Sequence, residues 1–272
     1  MTAKPILHYY IISDSIGETA IKVARSVLSQ FPNVKTQIHR YTFISTPEQL
    51  QEALDEAASQ DGLIFMTVID YQLALQAEHF CVKTGLICYD LMHPYILEVQ
   101  RRTGVEPVAR SGIQHELTDA YFRRVEAMEF CMRYDDGRDP ESLAQADLIL
   151  LGVSRTGKTP LSMYLATMGY KVMNIPLVPE SDIPQDLYKY GESKIIGLTN
   201  NPKVLEKHRR NRMIEFGMPE HSKYTSPERI QAELAFSNQI YKELDCPVLN
   251  VSDRSIEESA SIIVDLLDLP VV

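Results

Sequence analysis

The feature that most restricts how this chain can fold is an alternation of short apolar blocks and longer stretches with helical spacing. Residues 6–13 (ILHYYIIS) are rich in β-branched and aromatic side chains and read as a strand buried on both faces. Residues 18–30 follow, with Ile21, Ala24, Val27 and Leu28 at helical spacing. Residues 34–44, 63–69 and 85–89 read as further strands. Thr46-Pro47-Glu48-Gln49 predicts a helix start: Thr46 caps, Pro47 fits the first turn, and Gln49 completes a capping box. Strands alternating with helices predict an α/β fold, a mostly parallel sheet with helices on its faces.

A helical stretch over 118–133 runs into Asp135-Asp136-Gly137-Arg138-Asp139-Pro140, the most turn-rich segment of the chain. A division is expected there, giving an N-terminal α/β domain over 1–138 and a second α/β domain over 139–272. The second part restarts the pattern, with strands at 147–152, 171–175, 194–198 and 247–251. Helices are predicted over 158–168, 202–213, 226–244 and 255–267. No internal repeat is visible in the residues themselves.

The junction of the strand at 147–152 and the helix at 158–168 carries the chemistry. Gly152-Val153-Ser154-Arg155-Thr156-Gly157-Lys158-Thr159 matches G-x-x-x-x-G-K-[ST], the phosphate-binding P-loop. Two glycines let the backbone turn its N–H groups inward around a phosphate. Lys158 reaches the outer phosphates as a point charge, and the Thr159 hydroxyl is the expected Mg²⁺ ligand. The helix that starts here adds its positive end. Leu148-Ile149-Leu150-Leu151 before the loop and Leu161, Leu165 and Met168 after it supply the strand–loop–helix context. The strand-end Asp that usually follows a P-loop is imperfect here; the nearest match is Val248-Leu249-Asn250-Val251-Ser252-Asp253. No Asn-Lys-x-Asp motif occurs, which argues against a GTPase.

A second turn, Ser13-Asp14-Ser15-Ile16-Gly17-Glu18-Thr19, joins the first strand to the first helix. It reads either as a second anion site, through Ser13, Asp14, Ser15, Gly17 and Thr19, or as ordinary capping by Ser13 or Ser15. Lys203, Lys207, Arg209, Arg210 and Arg212 form a basic cluster; Arg209, Arg210 and Arg212 are candidates for a clamp on phosphate charge. His115-Glu116 followed by Asp119, and Asp135-Asp136, are candidates for a base, or else ordinary helix-end and turn residues.

The 27 Lys and Arg against 37 Asp and Glu leave a net charge of −10, which argues against broad nucleic-acid binding. No run approaches the ~20 apolar residues of a membrane span. Cys81, Cys88, Cys131 and Cys246 form no Cys-x-x-Cys pair and, with no signal-peptide pattern, read as reduced thiols of a cytoplasmic protein.

Several motifs together resemble the pyruvate, phosphate dikinase regulatory protein family. They are Ser13-Asp14-Ser15-x-Gly17-Glu18-Thr19, Arg124-Val-Glu-Ala-Met-Glu-Phe130 with Asp135-Asp136-Gly137, and the loop extended through Thr159-Pro-Leu-Ser162. Pro176-Leu-Val-Pro-Glu180 and Arg254-Ser-Ile-Glu-Glu-Ser259 complete the set. A sister branch acts on phosphoenolpyruvate synthase, and the stretch 159–166 is more similar to the dikinase branch. The resemblance implies a bifunctional serine/threonine kinase and phosphorylase. It would phosphorylate and inactivate the dikinase on a threonine with ADP as donor, then reverse this with inorganic phosphate, releasing pyrophosphate. Mg²⁺ and a homodimer are expected. On that reading Lys158 is catalytic, Asp136 is the expected general base, and Asp14 and Asp253 are its rivals. Without the resemblance, an ATP-dependent small-molecule kinase would rank first; a non-enzymatic nucleotide sensor is the third alternative.

Overall fold

The first strand, β1 (Leu7–Ser13), becomes fully buried from Tyr9 onward. It is flanked on both sides by parallel neighbours, β2 (Thr36–Tyr41) and β3 (Leu63–Thr67), which explains its unbroken apolar run. The short β4 (Cys88–Asp90) pairs with β3 and completes a four-stranded parallel sheet of order β2-β1-β3-β4. Helices α1 (Glu18–Leu28), α2 (Pro47–Ser59), α3 (Tyr71–Thr84) and α4 (His93–Thr103) connect or follow these strands. Alternate residues of β1 serve opposite faces: Tyr9 and Ile11 join Ala20 and Ala24, whereas Tyr10 and Ile12 join Leu50, Leu54 and Leu73. The Thr46–Gln49 capping box forms as predicted. The computed structural model describes residues 6–115, 117–135, 140–190, 194–220 and 222–269.

The chain divides into two compact units, Met1–Glu116 and Leu117–Val272. Helix α5 (Asp119–Arg133) therefore belongs with the second unit, whereas the sequence pattern suggested a divide after residue 138. Ala127 and Cys131 of α5 pack on Ala166 of α7 (Lys158–Thr167), an attachment that turn composition alone does not reveal. A short α6 (Pro140–Gln145) then leads into β5 (Leu148–Gly152).

The second unit repeats the plan of the first. Its parallel sheet has the order β6-β5-β7-β8, with β6 at Val172–Pro176, β7 at Ile195–Thr199 and β8 at Val248–Asn250. Helices α8 (Pro202–Glu215), α9 (Pro227–Leu244) and α10 (Ile256–Leu266) complete it. The α/β class and the order of a parallel-sheet half followed by a P-loop half hold as expected. Helix α4 is absent from the sequence pattern because His93 is its only buried residue. Its start is fixed locally instead: the Asp90 carboxylate accepts the N–H groups of Met92 and His93 at 2.8 and 3.0 Å.

Candidate active site

β5 is buried along its whole length and lies between β6 and β7. The chain leaves this sheet in opposite directions on its two sides, and the crevice opens at the carboxyl end of β5, where parallel sheets bind ligands. The loop 153–157 begins at this point. Thr156 Oγ1 donates to the Val153 carbonyl at 2.9 Å, folding the loop on itself. A Cβ at Gly152 would stand 2.7 Å from that hydroxyl and 3.0 Å from the Leu198 carbonyl, so only glycine fits. Gly157 is left-handed (φ 79°, ψ 17°) and opens α7 with no side-chain cap. Arg155 is also left-handed, at φ 72°, a strained position for a residue with a side chain.

The Lys158 side chain lies back on the loop that precedes it. Its ammonium donates to the carbonyls of Gly152 and Val153 at 2.9 and 3.2 Å. The uncapped first turn of α7 and this ammonium share one side of a cleft of ≈ 550 Å³. Besides the loop residues 154–161, its walls include Asn200 after β7, His208 and Arg212 of α8, and Arg254 and Ser255 ahead of α10.

Thr159 turns its hydroxyl to a neighbour that precedes the loop in sequence. Thr159 Oγ1 donates to Asp135 Oδ1 at 3.2 Å, and Asn174 Nδ2 of β6 donates to the same oxygen. The missing strand-end acid after the loop is thus answered from the end of α5, which α5–α7 packing brings to the first turn of α7. A hydroxyl and a carboxylate side by side are the hard oxygen donors that Mg²⁺ prefers, with phosphates and waters completing its shell. Asp136, the expected base, lies outside the described residues. Asp253 is exposed and does not line the cleft, and Asp14 belongs to the other unit.

The basic cluster separates into three environments, which corrects the expected clamp. Arg209 is completely buried, because it shares the inner stripe of α8 with Leu205, which packs beneath Val153. Its Nη2 meets Glu233 Oε2 at 2.6 Å and the Ser154 carbonyl at 3.3 Å, its Nη1 donates to the Tyr224 carbonyl at 3.1 Å, and the guanidinium lies 4.7 Å from the Tyr224 ring centre. Arg209 therefore braces the loop from behind and does not face a ligand. Arg210 pairs with Glu206 and Glu220 and is likewise outside the cleft. Arg212 does line it.

The brace extends outward. Arg229 bridges Glu233 and Glu180 at 2.6 Å, and its guanidinium holds the Glu180 carboxyl down at about 2. Ser154 Oγ meets Tyr224 OH at 2.7 Å on the same side. Pattern reading missed this network because it joins four separate segments. The one available signal was an arginine at i, i+4 from a core leucine.

In the first unit, the turn at residues 13–19 is not capped by either serine. Ser13 Oγ donates to the Thr67 carbonyl at 3.2 Å and accepts the Ser15 N–H, while Asp14 Oδ2 accepts the Ile69 N–H at 2.6 Å. Helix α1 starts at Gly17 with no side-chain cap. Among the described residues no group of three or more His, Cys, Asp or Glu is placed to hold a metal, and no helix is long and apolar enough to cross a membrane.

The chain is 44% identical over 260 residues to an Enterococcus faecalis protein named as a pyruvate, phosphate dikinase regulatory protein, covering 96% of this chain and 94% of that one. A Clostridioides difficile protein of the same naming is 45% identical over 259 residues, covering 95% and 92%. A Lacticaseibacillus casei protein, again so named, is 42% identical over 263 residues, covering 97% and 95%. The kinase/pyrophosphorylase family model matches residues 9–264, so the loop, its brace and the carboxylate beside Thr159 all fall within the match. The chain belongs to the kinase/pyrophosphorylase family.

Proposed function

We propose that this protein is a bifunctional regulator of pyruvate, phosphate dikinase, acting in the cytoplasm as a homodimer. In one direction it transfers the β-phosphoryl group of ADP to a threonine hydroxyl of the dikinase, leaving AMP and an inactive target. In the other, an oxygen of inorganic phosphate attacks the phosphorus of the phosphothreonine, the threonine oxygen departs and takes up a proton, and the pyrophosphate so formed is released. The P-loop of the second unit is the observation that carries this reading, together with relatives named for regulation of that enzyme.

The two directions share one demand. Both ADP and pyrophosphate present two linked phosphates, and a single loop cradles either. Residues 152–157 would surround the bound phosphate with backbone N–H groups. The Lys158 ammonium would leave the Gly152 and Val153 carbonyls for the phosphoryl group in flight. Charge neutralisation and alignment do most of the work in such a transfer. Arg212 would meet outer phosphate charge from the facing wall, and Arg209 would keep Ser154 in place. Thr159 and Asp135 would hold Mg²⁺, which would supply neutralisation of phosphate charge. Asp136 remains our proposed base for the threonine hydroxyl.

The test is transfer of label to purified dikinase from ADP labelled at the β-phosphate, beside ATP labelled at the γ-phosphate. Labelled phosphothreonine from ADP supports the proposal. Transfer from ATP alone, or to a small molecule and never to the dikinase, overturns it in favour of an ATP-dependent small-molecule kinase. Transfer to phosphoenolpyruvate synthase instead moves the same chemistry to the sister target.

A further inference from the structure

The two units are built on one plan, and the turn of the first unit occupies the place the P-loop holds in the second. Each follows the first strand of a sheet of the same order and opens on the carboxyl side of that strand. Gly17 (φ 73°, ψ 20°) and Gly157 (φ 79°, ψ 17°) adopt one conformation, and neither α1 nor α7 has a side-chain cap. Thr19 stands where Thr159 does. Glu18 stands where Lys158 does.

A cleft of ≈ 430 Å³ opens at this turn, bounded by residues 13–19, by the β3–α3 turn and by the segment 107–114. Ser111 Oγ ties that segment down by donating to the Asp14 carbonyl at 2.9 Å. Thr67 lines the cleft at 8% exposure, and its hydroxyl has no hydrogen-bond partner among the described residues. A buried hydroxyl without a partner is costly unless something supplies one. Arg110 contributes a positive charge, and Met92, Ile96, Val108 and Ile113 contribute an apolar wall. Both carboxylates of the turn are already engaged: Glu18, which also lines the cleft, with Lys22 at 2.7 Å, and Asp14 with the Ile69 N–H.

We propose that this cleft binds a small organic oxyanion, a phosphate or carboxylate ester-sized ligand with a short apolar body. The uncapped N–H groups of α1, the Thr67 hydroxyl and Arg110 receive the oxyanion, and the apolar wall receives the body. Glu18 in place of a lysine leaves no ammonium to reach a second phosphate, so the site takes a single oxyanion and rejects a nucleoside diphosphate. The site is independent of the transfer reaction proposed for the second unit.

The experiment titrates propyl phosphate and inorganic phosphate into the full-length Lys158→Ala chain by calorimetry, so that the P-loop lysine does not contribute. Thr67→Val and Thr67→Ser are compared in that background. Propyl phosphate should bind roughly tenfold more tightly than inorganic phosphate, because its methylenes leave water. Thr67→Val should weaken it roughly fivefold and Thr67→Ser should retain it. A purely structural Thr67 would behave in the opposite order, since valine preserves the β-branched shape that serine loses. Saturating ADP should leave the binding unchanged. No binding, binding displaced by ADP, affinity indifferent to Thr67→Val, or a preference for propylammonium would each overturn the proposal.

Discussion

Replacing Glu233 with glutamine removes one charge from the brace behind the P-loop while keeping the side chain's shape. Arg209 is 0% exposed and Glu233 6% exposed, so the pair sits out of water. Taking one partner from a buried ion pair typically costs ~3–5 kcal/mol, because the other charge stays buried without compensation. The amide oxygen of glutamine still accepts a hydrogen bond, which places Glu233→Gln toward ~3 kcal/mol. For a unit of this size each kcal/mol moves the melting point by about 2–4 °C, so the transition should fall by about 6–12 °C. The exposed pair of Arg101 and Glu98, with side chains 70% and 42% accessible, is the control. Glu98→Gln should leave the transition almost where it was, because an exposed pair is screened by solvent. Scanning calorimetry on both variants gives the comparison. Equal, small losses would refute the reasoning that Arg209 and Glu233 form a desolvated brace. A double variant, Arg209→Met with Glu233→Leu, should recover most of the stability yet leave the Ser154 carbonyl without its guanidinium and ligand binding impaired.

Four further outcomes follow from the same geometry. Asp135→Asn should lower Mg²⁺-dependent transfer by ~10²-fold or more with little change in melting point, read as a raised Mg²⁺ requirement in the transfer assay. Gly152→Ala should destabilise the second unit by about 1–3 kcal/mol through overpacking against Thr156 and Leu198, seen as a lower urea midpoint. Tyr10 and Tyr41 are both raised to about 12, Tyr10 chiefly by burial and Tyr41 chiefly by its hydrogen bond to Glu56. The folded state keeps these phenols neutral while the unfolded chain ionises them from about pH 10. Stability present below pH 10 should therefore be lost between about pH 10 and 12, and Tyr41→Phe should flatten that loss in urea titrations at pH 8 and 11. Arg212→Gln should raise the KM for ADP more than it lowers kcat, whereas Arg210→Gln should change neither.

Much of the fold is legible in the residues because its signals are local. Strand β1 declares itself by an unbroken apolar run, α2 by Thr46, Pro47 and Gln49, and the P-loop by glycines flanked by a strand and a helix. What escapes sequence reading depends on tertiary placement. Arg209 looks like its basic neighbours until α8 is seen to turn Leu205 and Arg209 inward together. Asp135 lies in a turn-rich segment and gains its meaning only when α5 lies along α7. The shared plan of the two units is invisible as a repeat because it is carried by strand order and two left-handed glycines, while the residue at the critical position has changed from lysine to glutamate.

The central claim is that one loop serves both directions of transfer, and Lys158→Ala tests it most directly. The dikinase is supplied in its unphosphorylated form with ADP, and separately in its phosphothreonine form with inorganic phosphate. Both rates, phosphothreonine formed and pyrophosphate released, should fall by a similar factor of ~10²–10³, as for loss of one group that stabilises charge in the transition state. Loss of one activity with the other intact would contradict it and require a second catalytic site.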